Sequence, residues 1–244
     1  MNRLFGLVAR FVFGRMLPRV AYPVARGPLQ GSWFVLGSMG GEAGGVSVYF
    51  NMIETEQTAA LVATLGKGQV FFDVGANVGY YTILGSRLVG DKGTVIAFEP
   101  VVRNLVYLFQ HTILNRVGNV KIIPAACSDI TSLAIFSAGE NFAMGYLGEN
   151  KDNRDMFPVP TVSIDETIQR VGISPDVMKI DVEGGELSVL KGAKEVLCKA
   201  HPKIFLSTHS DILRQTCLEY LSEHGYSYEV LSKNKENPST FLAI

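Results

Sequence analysis

From about residue 69 onward, short apolar runs alternate with stretches of helical period. Val70-Phe71-Phe72 is one such run, followed by a glycine-rich turn and a helix to about Leu88. Thr94 to Phe98 is the next. Behind it Leu105, Leu108, Phe109, Thr112 and Ile113 recur at three- and four-residue steps, which predicts a helix with those residues on one face. Val120–Ile123, Val177–Ile180 and Ile204–Leu206 are three further strands. A helix carrying Leu187, Leu190, Ala193 and Leu197 is expected after the fourth strand. Another, from about Ile212 to Glu223, is expected after the fifth, ending at Gly225. Tyr228–Leu231 and Phe241–Ile244 are placed to close the sheet as a hairpin. Strands alternating with helices predict an α/β fold, a doubly wound and mostly parallel sheet. Such sheets bind ligands beyond the carboxyl ends of their strands.

The first part of the chain has a different texture. Residues 18–51 are rich in glycine and proline and predict loops and short strands, with Gly40 to Gly45 as a turn between two strands. Met52 to Leu65 reads as a helix closed by Gly66. The expected division is an N-terminal extension over 1–66 and a catalytic domain over 67–244. Arg3, Arg10, Arg15, Arg19 and Arg26 precede the first acid, Glu42, and Leu4, Phe5, Val8, Phe11 and Val12 lie among them. A basic amphipathic segment of this kind can make peripheral contact with an anionic membrane, or pack as a helix on the domain with its arginines in solvent. Arg10 interrupts the apolar run, so a secretory signal peptide fits poorly. No run approaches the roughly 18 apolar residues of a membrane-crossing helix.

Composition narrows the function. In 244 residues, 47% hydrophobic and 18% charged positions allow a sizeable core. A net charge of −1 gives no electrostatic case for nucleic acid. Cys127, Cys198 and Cys217 are odd in number and form no C-x-x-C pair. They argue against a disulfide framework or structural zinc, fit a cytoplasmic location, and are each expected as small buried hydrophobes.

The candidate chemistry sits in the turns after the strands. Asp73-Val74-Gly75-Ala76-Asn77-Val78-Gly79 follows the first strand. A nicotinamide fingerprint starting at Gly75 needs glycine at positions 77 and 80, where this chain has Asn77 and Tyr80. Asp73 would repel a pyrophosphate but suits a cationic α-amino group, and amides at the helix start can take a carboxylate. Those are the two ends of the methionine part of S-adenosylmethionine (SAM). Glu99-Pro100 after the second strand offers an acid for ribose hydroxyls, with Asn104 as a supporting residue or plain helix surface. Ala126 leaves room for an adenine ring, whose edge Ser128 or Asp129 can reach. Asp181, Glu183 and Glu186 crowd the turn after the fourth strand; capping of the next helix explains Glu186 well and Asp181 poorly. His209, after the fifth strand, is a structural hydrogen-bonding residue or a general base. With Asp181 and Glu183 it could also ligate a hard divalent metal, although no metal is predicted.

The chain resembles the FkbM family of SAM-dependent methyltransferases. The resemblance is carried by FFDVGANVGYYT (Phe71–Thr82), IAFEP (Ile96–Pro100), TVSIDETI (Thr161–Ile168) and MKIDVEGGELSVLKGA (Met178–Ala193). It implies a class I, Rossmann-like fold with a seven-stranded sheet and a final antiparallel strand. It also implies a donor site at Asp73, Gly75, Asn77, Gly79 and Glu99, to which the neighbouring Tyr80, Pro100, Asn104, Ala126, Ser128 and Asp181 are added. Asp181 and Glu183 match acids near the transferred methyl, and with His209 they are the expected catalytic group, Asp181 leading as base. Members resembling this chain methylate a hydroxyl of a sugar, polyketide, glycolipid or other small metabolite. Ser207 departs from the pattern, where many members carry an acid. A nicotinamide oxidoreductase and a non-catalytic SAM-binding protein are the competing readings. Residues 137–157, long, polar and irregular, are expected to cover the acceptor.

Overall fold

The computed structural model describes residues 17–39, 42–137, 146–147, 156–231 and 239–244. The chain opens on an antiparallel pair, β1 (Ala21–Pro23) and β2 (Trp33–Val35). A 3₁₀ helix over Glu42–Phe50 and α1 (Thr55–Thr64) follow. The expected turn at 40–45 is therefore corrected: its described residues begin a helix, and 40–41 lie outside the described residues. α1 starts at Thr55 rather than Met52 because Asn51 and Glu54 take left-handed backbone angles, which a right-handed helix cannot include.

The central layer is built from β3 (Val70–Val74), α2 (Tyr80–Val89), β4 (Thr94–Phe98), α3 (Val102–Leu114) and β5 (Val120–Ile123). After an excursion come β10 (Val177–Ile180), α5 (Glu186–Lys191), α6 (Lys194–Lys199), β11 (Lys203–Ser207), α7 (Asp211–Glu223), β12 (Tyr228–Val230) and β13 (Thr240–Ala243). The excursion contributes β6 (Ala126–Cys127), β7 (Ser132–Ser137), β8 (Tyr146–Leu147), β9 (Met156–Val162) and α4 (Ile164–Val171). The strand order is β12-β13-β11-β10-β3-β4-β5, and β13 runs antiparallel to both its neighbours. This is the seven-stranded α/β sheet with a terminal antiparallel strand that the resemblance implied. A second sheet, β6-β9-β7-β8, was not foreseen.

Alternation along β3 divides the core. Phe71 faces a cluster with Phe34, Leu36, Val48, Leu61, Ile83, Val177 and Phe205, so the N-terminal elements cover one side of the sheet. Phe72 faces the other side, with Ile96, Met178, Leu190, Leu197, Leu206 and Cys217. Two helical expectations change. α3 buries Asn104, Leu105, Leu108 and His111, while Phe109 and Ile113 face solvent. The single helix expected over Leu187 to Leu197 is broken at Gly192, where a Cβ would lie 2.0 Å from the Ser128 carbonyl oxygen. The Asp165 carboxylate then caps α6, accepting from the Glu195 and Val196 amides at 2.7 and 3.0 Å. Cys127 and Cys217 are buried, but Cys198 is exposed.

Candidate active site

The turn from β3 to α2 is the foundation of the site. Gly75 and Asn77 both hold positive φ, 82° and 51°. Gly75 also has no room for a side chain, since a Cβ would lie 1.9 Å from the Asp181 carbonyl oxygen. The donor turn thus closes directly against the end of β10. Glu99, at the end of β4, pins it from the other side. Its Oε2 accepts the Asn77 amide at 2.8 Å, and its Oε1 accepts the Val101 amide at 2.8 Å and Asn104 Nδ2 at 3.3 Å. Burial pushes the Glu99 carboxyl up to about 7, against these three hydrogen bonds, which favour its charged form.

A cavity of about 210 Å³ opens above this turn. Gly75, Asn77, Tyr80, Glu99, Pro100, Asn104, Ala126, Asp181 and Glu183 all line it. Asp73, Gly79 and Ser128 do not. Asp73 is fully buried behind the wall, where its Oδ2 accepts the Thr82 hydroxyl at 2.6 Å and its Oδ1 has no hydrogen-bond partner. Gly79 begins α2 and packs on Leu108. Ser128 turns away, its hydroxyl 3.0 Å from Asp129 Oδ1 and its carbonyl against Gly192. In the cavity wall the buried Asn77 Oδ1, without a partner, leaves an acceptor for a cationic amine at this turn, whereas Asp73 Oδ1 lies behind the wall. The close-approach glycine and the buried Glu99 complete a donor set that fits SAM.

A charged cluster forms one wall. Lys179 is nearly fully buried beside Asp73, its partner across the β10–β3 ladder. Its Nζ donates to Asp181 Oδ2 at 2.9 Å and lies 4.8 Å from the centre of the Tyr81 ring. Burial works against the charged form of Asp181, but Lys179 and then His209 outweigh it and lower its pKa below the ordinary value. The pairing favours the ionised form of Asp181 and weakens it as a proton acceptor. Glu183 moves the other way, raised chiefly by burial.

His209 closes the cluster. Its Nδ1 lies 2.8 Å from Glu186 Oε1, and its Nε2 lies 3.3 Å from Glu183 Oε2 and 3.5 Å from Asp181 Oδ1. The Glu186 hydrogen bond, assisted by the other two carboxylates, outweighs burial and pushes the imidazole up to about 9. Glu186 is itself fully buried and also accepts the Gly184 amide at 3.0 Å. It was read as a helix-start acid; its carboxylate instead orients the histidine. Glu183 and Gly184 hold positive φ, 53° and 108°, and this bend brings Glu183 round to His209.

Sequence reasoning missed Glu54, Tyr81, Lys179, Met39, Ile53 and Phe136 in the cavity wall. Lys179 was legible in principle, since alternate residues of a strand share a face and Asp181 was already chosen. Glu54 was not. It stands in a left-handed conformation before α1 and reaches the site by accepting the Tyr81 hydroxyl at 2.7 Å. Of the segment expected to cover the acceptor, 138–145 and 148–155 lie outside the described residues. None of its described residues lines the cavity; Phe136, which precedes it on β7, does.

The family model of the methyltransferase FkbM domain matches residues 73–228. A hexuronic acid methyltransferase, AglP of Haloferax volcanii, is 26% identical over 185 residues, 75% of this chain and 74% of that protein. Among solved structures, the methyltransferase FkbM of Methylobacillus flagellatus superposes with a TM-score of 0.52 at 22% identity, covering 72% of this chain and 43% of that one. The chain therefore spans less than half of that larger protein. Aeropyrum pernix fibrillarin, solved with S-adenosyl-L-methionine bound, gives a TM-score of 0.50 at 13% identity, covering 77% of this chain and 73% of that one. These two superpositions show a shared methyltransferase fold.

Proposed function

The chain belongs to the FkbM family of methyltransferases, and from that premise we propose that it transfers a methyl group from SAM to a hydroxyl oxygen of a small, sugar-like acceptor. The observation that carries the reading is the meeting of two features in one cavity: the turn of Gly75 and Glu99, and the acids Asp181 and Glu183 that pair with His209. The hexuronic acid methyltransferase supports a sugar acceptor.

When bound, SAM supplies an electrophilic methyl on a sulfonium leaving group. The chain's residues do the rest. Glu99 accepts from the ribose hydroxyls while holding the turn through Asn77. Asn77 Oδ1 and the turn carbonyls favour the ammonium end, with the Asp73 carboxylate behind them, and the α2 amides favour the carboxylate. Asp181 and Glu183 face the space where the acceptor hydroxyl must sit, and Glu183, the more basic of the two carboxylates, is placed to draw off its proton. Much of the acceleration comes from positioning two reactants in one cavity.

The test is calorimetric titration with S-adenosylhomocysteine beside NAD, followed by a screen of uronic acids and neutral sugars for methyl transfer. Micromolar binding of S-adenosylhomocysteine alone, weakened at least tenfold in Glu99→Ala, with transfer to a hydroxyl, is the expected result. Binding of NAD instead would overturn the donor assignment. Donor binding with no turnover on any hydroxylated acceptor would favour a non-catalytic role. Among the described residues no helix is long and apolar enough to cross a membrane. The proposal extends to a cytoplasmic enzyme that touches anionic membranes through residues 1–26, supported by five arginines ahead of the first acid. Within this segment residues 1–16 lie outside the described residues, and Ala21–Pro23 forms β1.

A further inference from the structure

We propose that Asp181, Glu183 and His209 form a binding site for one divalent cation, with Glu186 as the buried residue that orients the histidine ligand. The inference deepens the methyltransferase reading and rests on it for the role of the ion, though not for its binding.

Geometry comes first. One ligand atom from each of the three residues lies within 4.8 Å of the others. His209 Nε2 stands 3.3 Å from Glu183 Oε2 and 3.5 Å from Asp181 Oδ1. Charge-assisted N–H···O bonds run to about 2.7–2.9 Å, and the single N–H on Nε2 can serve only one of the two oxygens well. Adjacent ligands of one octahedral ion, each about 2.1 Å from the metal, lie about 3 Å apart. The observed spacings are thus long for a proton and close to those of a shared cation.

The surroundings agree. Glu186 is fully buried, its Oε1 is 2.8 Å from His209 Nδ1, and its Oε2 has no hydrogen-bond partner. That contact holds a proton on Nδ1, so a cation that displaces the Nε2 proton meets a lone pair facing the two carboxylates, the usual support for a metal-bound histidine. Charge gives an independent argument. Once a cation displaces the Nε2 proton of His209, the three carboxylates of Asp181, Glu183 and Glu186 are balanced only by the one ammonium of Lys179. The excess is two negative charges, which a divalent cation cancels. Two carboxylates and one imidazole suit a hard to borderline divalent ion such as manganese or magnesium.

Asp181 and Glu183 line the cavity, while His209 stands outside its lining and is exposed. An ion among them can take the acceptor hydroxyl oxygen as a further ligand and lower its pKa. The O–H bond then breaks with its proton passing to water, and the oxygen forms the new O–CH₃ bond as the S–CH₃ bond breaks.

The experiment is a titration of chelator-treated protein with Mn²⁺ alone, followed by paramagnetic resonance and calorimetry. One ion per chain is expected at micromolar to sub-millimolar affinity. Binding should weaken at least tenfold in His209→Ala and Glu183→Gln, and about 10–100-fold in Glu186→Gln. Thermal melting and S-adenosylhomocysteine binding of the same variants check that they are folded. No saturable Mn²⁺ binding, or binding that survives His209→Ala, would overturn the site. The ion titration needs no donor, so its outcome is read separately. Donor binding and methyl transfer that persist in chelator, with no Mn²⁺ bound, would remove the metal and leave the methyltransferase reading standing.

Discussion

At the scale of single residues, Glu99 joins a role in the fold to the ribose contact proposed for it. Its carboxylate joins the turns after β3 and β4, yet burial raises its pKa to about 7 from an ordinary 4.5. The folded state therefore favours its protonated form. That contribution to stability is fully present below about pH 4.5 and is lost as the pH rises through about 7. The ribose contact needs the ionised form. S-adenosylhomocysteine should accordingly bind up to about tenfold more tightly at pH 8 than at pH 6, and calorimetry across that range checks it. In Glu99→Gln the affinity should be low and nearly flat with pH; an unchanged pH profile would remove Glu99 from the donor site. Glu99 was legible because it follows a strand at the expected interval. Glu186 was legible as an acid but not in role, because a carboxylate at a helix start looks the same in sequence whether it caps the helix or is buried against a histidine.

At the scale of elements, the least expected joint is His111. It lies fully buried on α3, with Nε2 accepting the Val35 amide of β2 at 3.0 Å and Nδ1 donating to the Val78 carbonyl at 2.6 Å. One neutral ring thereby links the N-terminal hairpin to the donor turn. Burial lowers its pKa, partly offset by the Val78 contact. Its stabilisation is thus present above the unfolded value of about 6.5 and fades as pH falls below it. His111→Leu would strand two buried backbone groups and should cost about 2–5 kcal/mol. Urea unfolding measures the loss, and the variant should show a weaker fall in stability between pH 7 and 5 than the parent. The helix containing His111 was found from its periodicity, but its buried face was misjudged. Phe109 and Ile113 shared the apolar spacing, whereas the actual partners, β2 and the donor turn, select Leu105, Leu108 and His111. The second sheet escaped notice for a related reason. Pro158 and Pro160 break a strand pattern, yet over Met156–Pro160 β9 pairs with β7 on one side only, and its other edge tolerates them.

At the scale of the whole molecule, the N-terminal elements and the sheet share one core. Phe34, Leu36, Val48 and Leu61 close over Phe71, Ile83, Leu84 and Phe205. A chain begun at residue 67 would expose that face as a large apolar patch. It should elute as aggregate in size-exclusion chromatography where the full chain elutes as a discrete species; a discrete truncated species would show that 67–244 folds alone. The sequence by itself determined the alternation of strands and helices, the donor turn, Glu99 and the acids after β10. Each of these rests on local signals, namely period, glycine placement and charge beside a strand end. The tertiary structure alone decided what those acids face. Lys179 disarms Asp181, Glu186 aims His209, and Glu54 arrives from before α1. These outcomes depend on side chains brought together from distant positions under burial, where desolvation and a neighbouring charge set the chemistry of a carboxylate more than its own identity does.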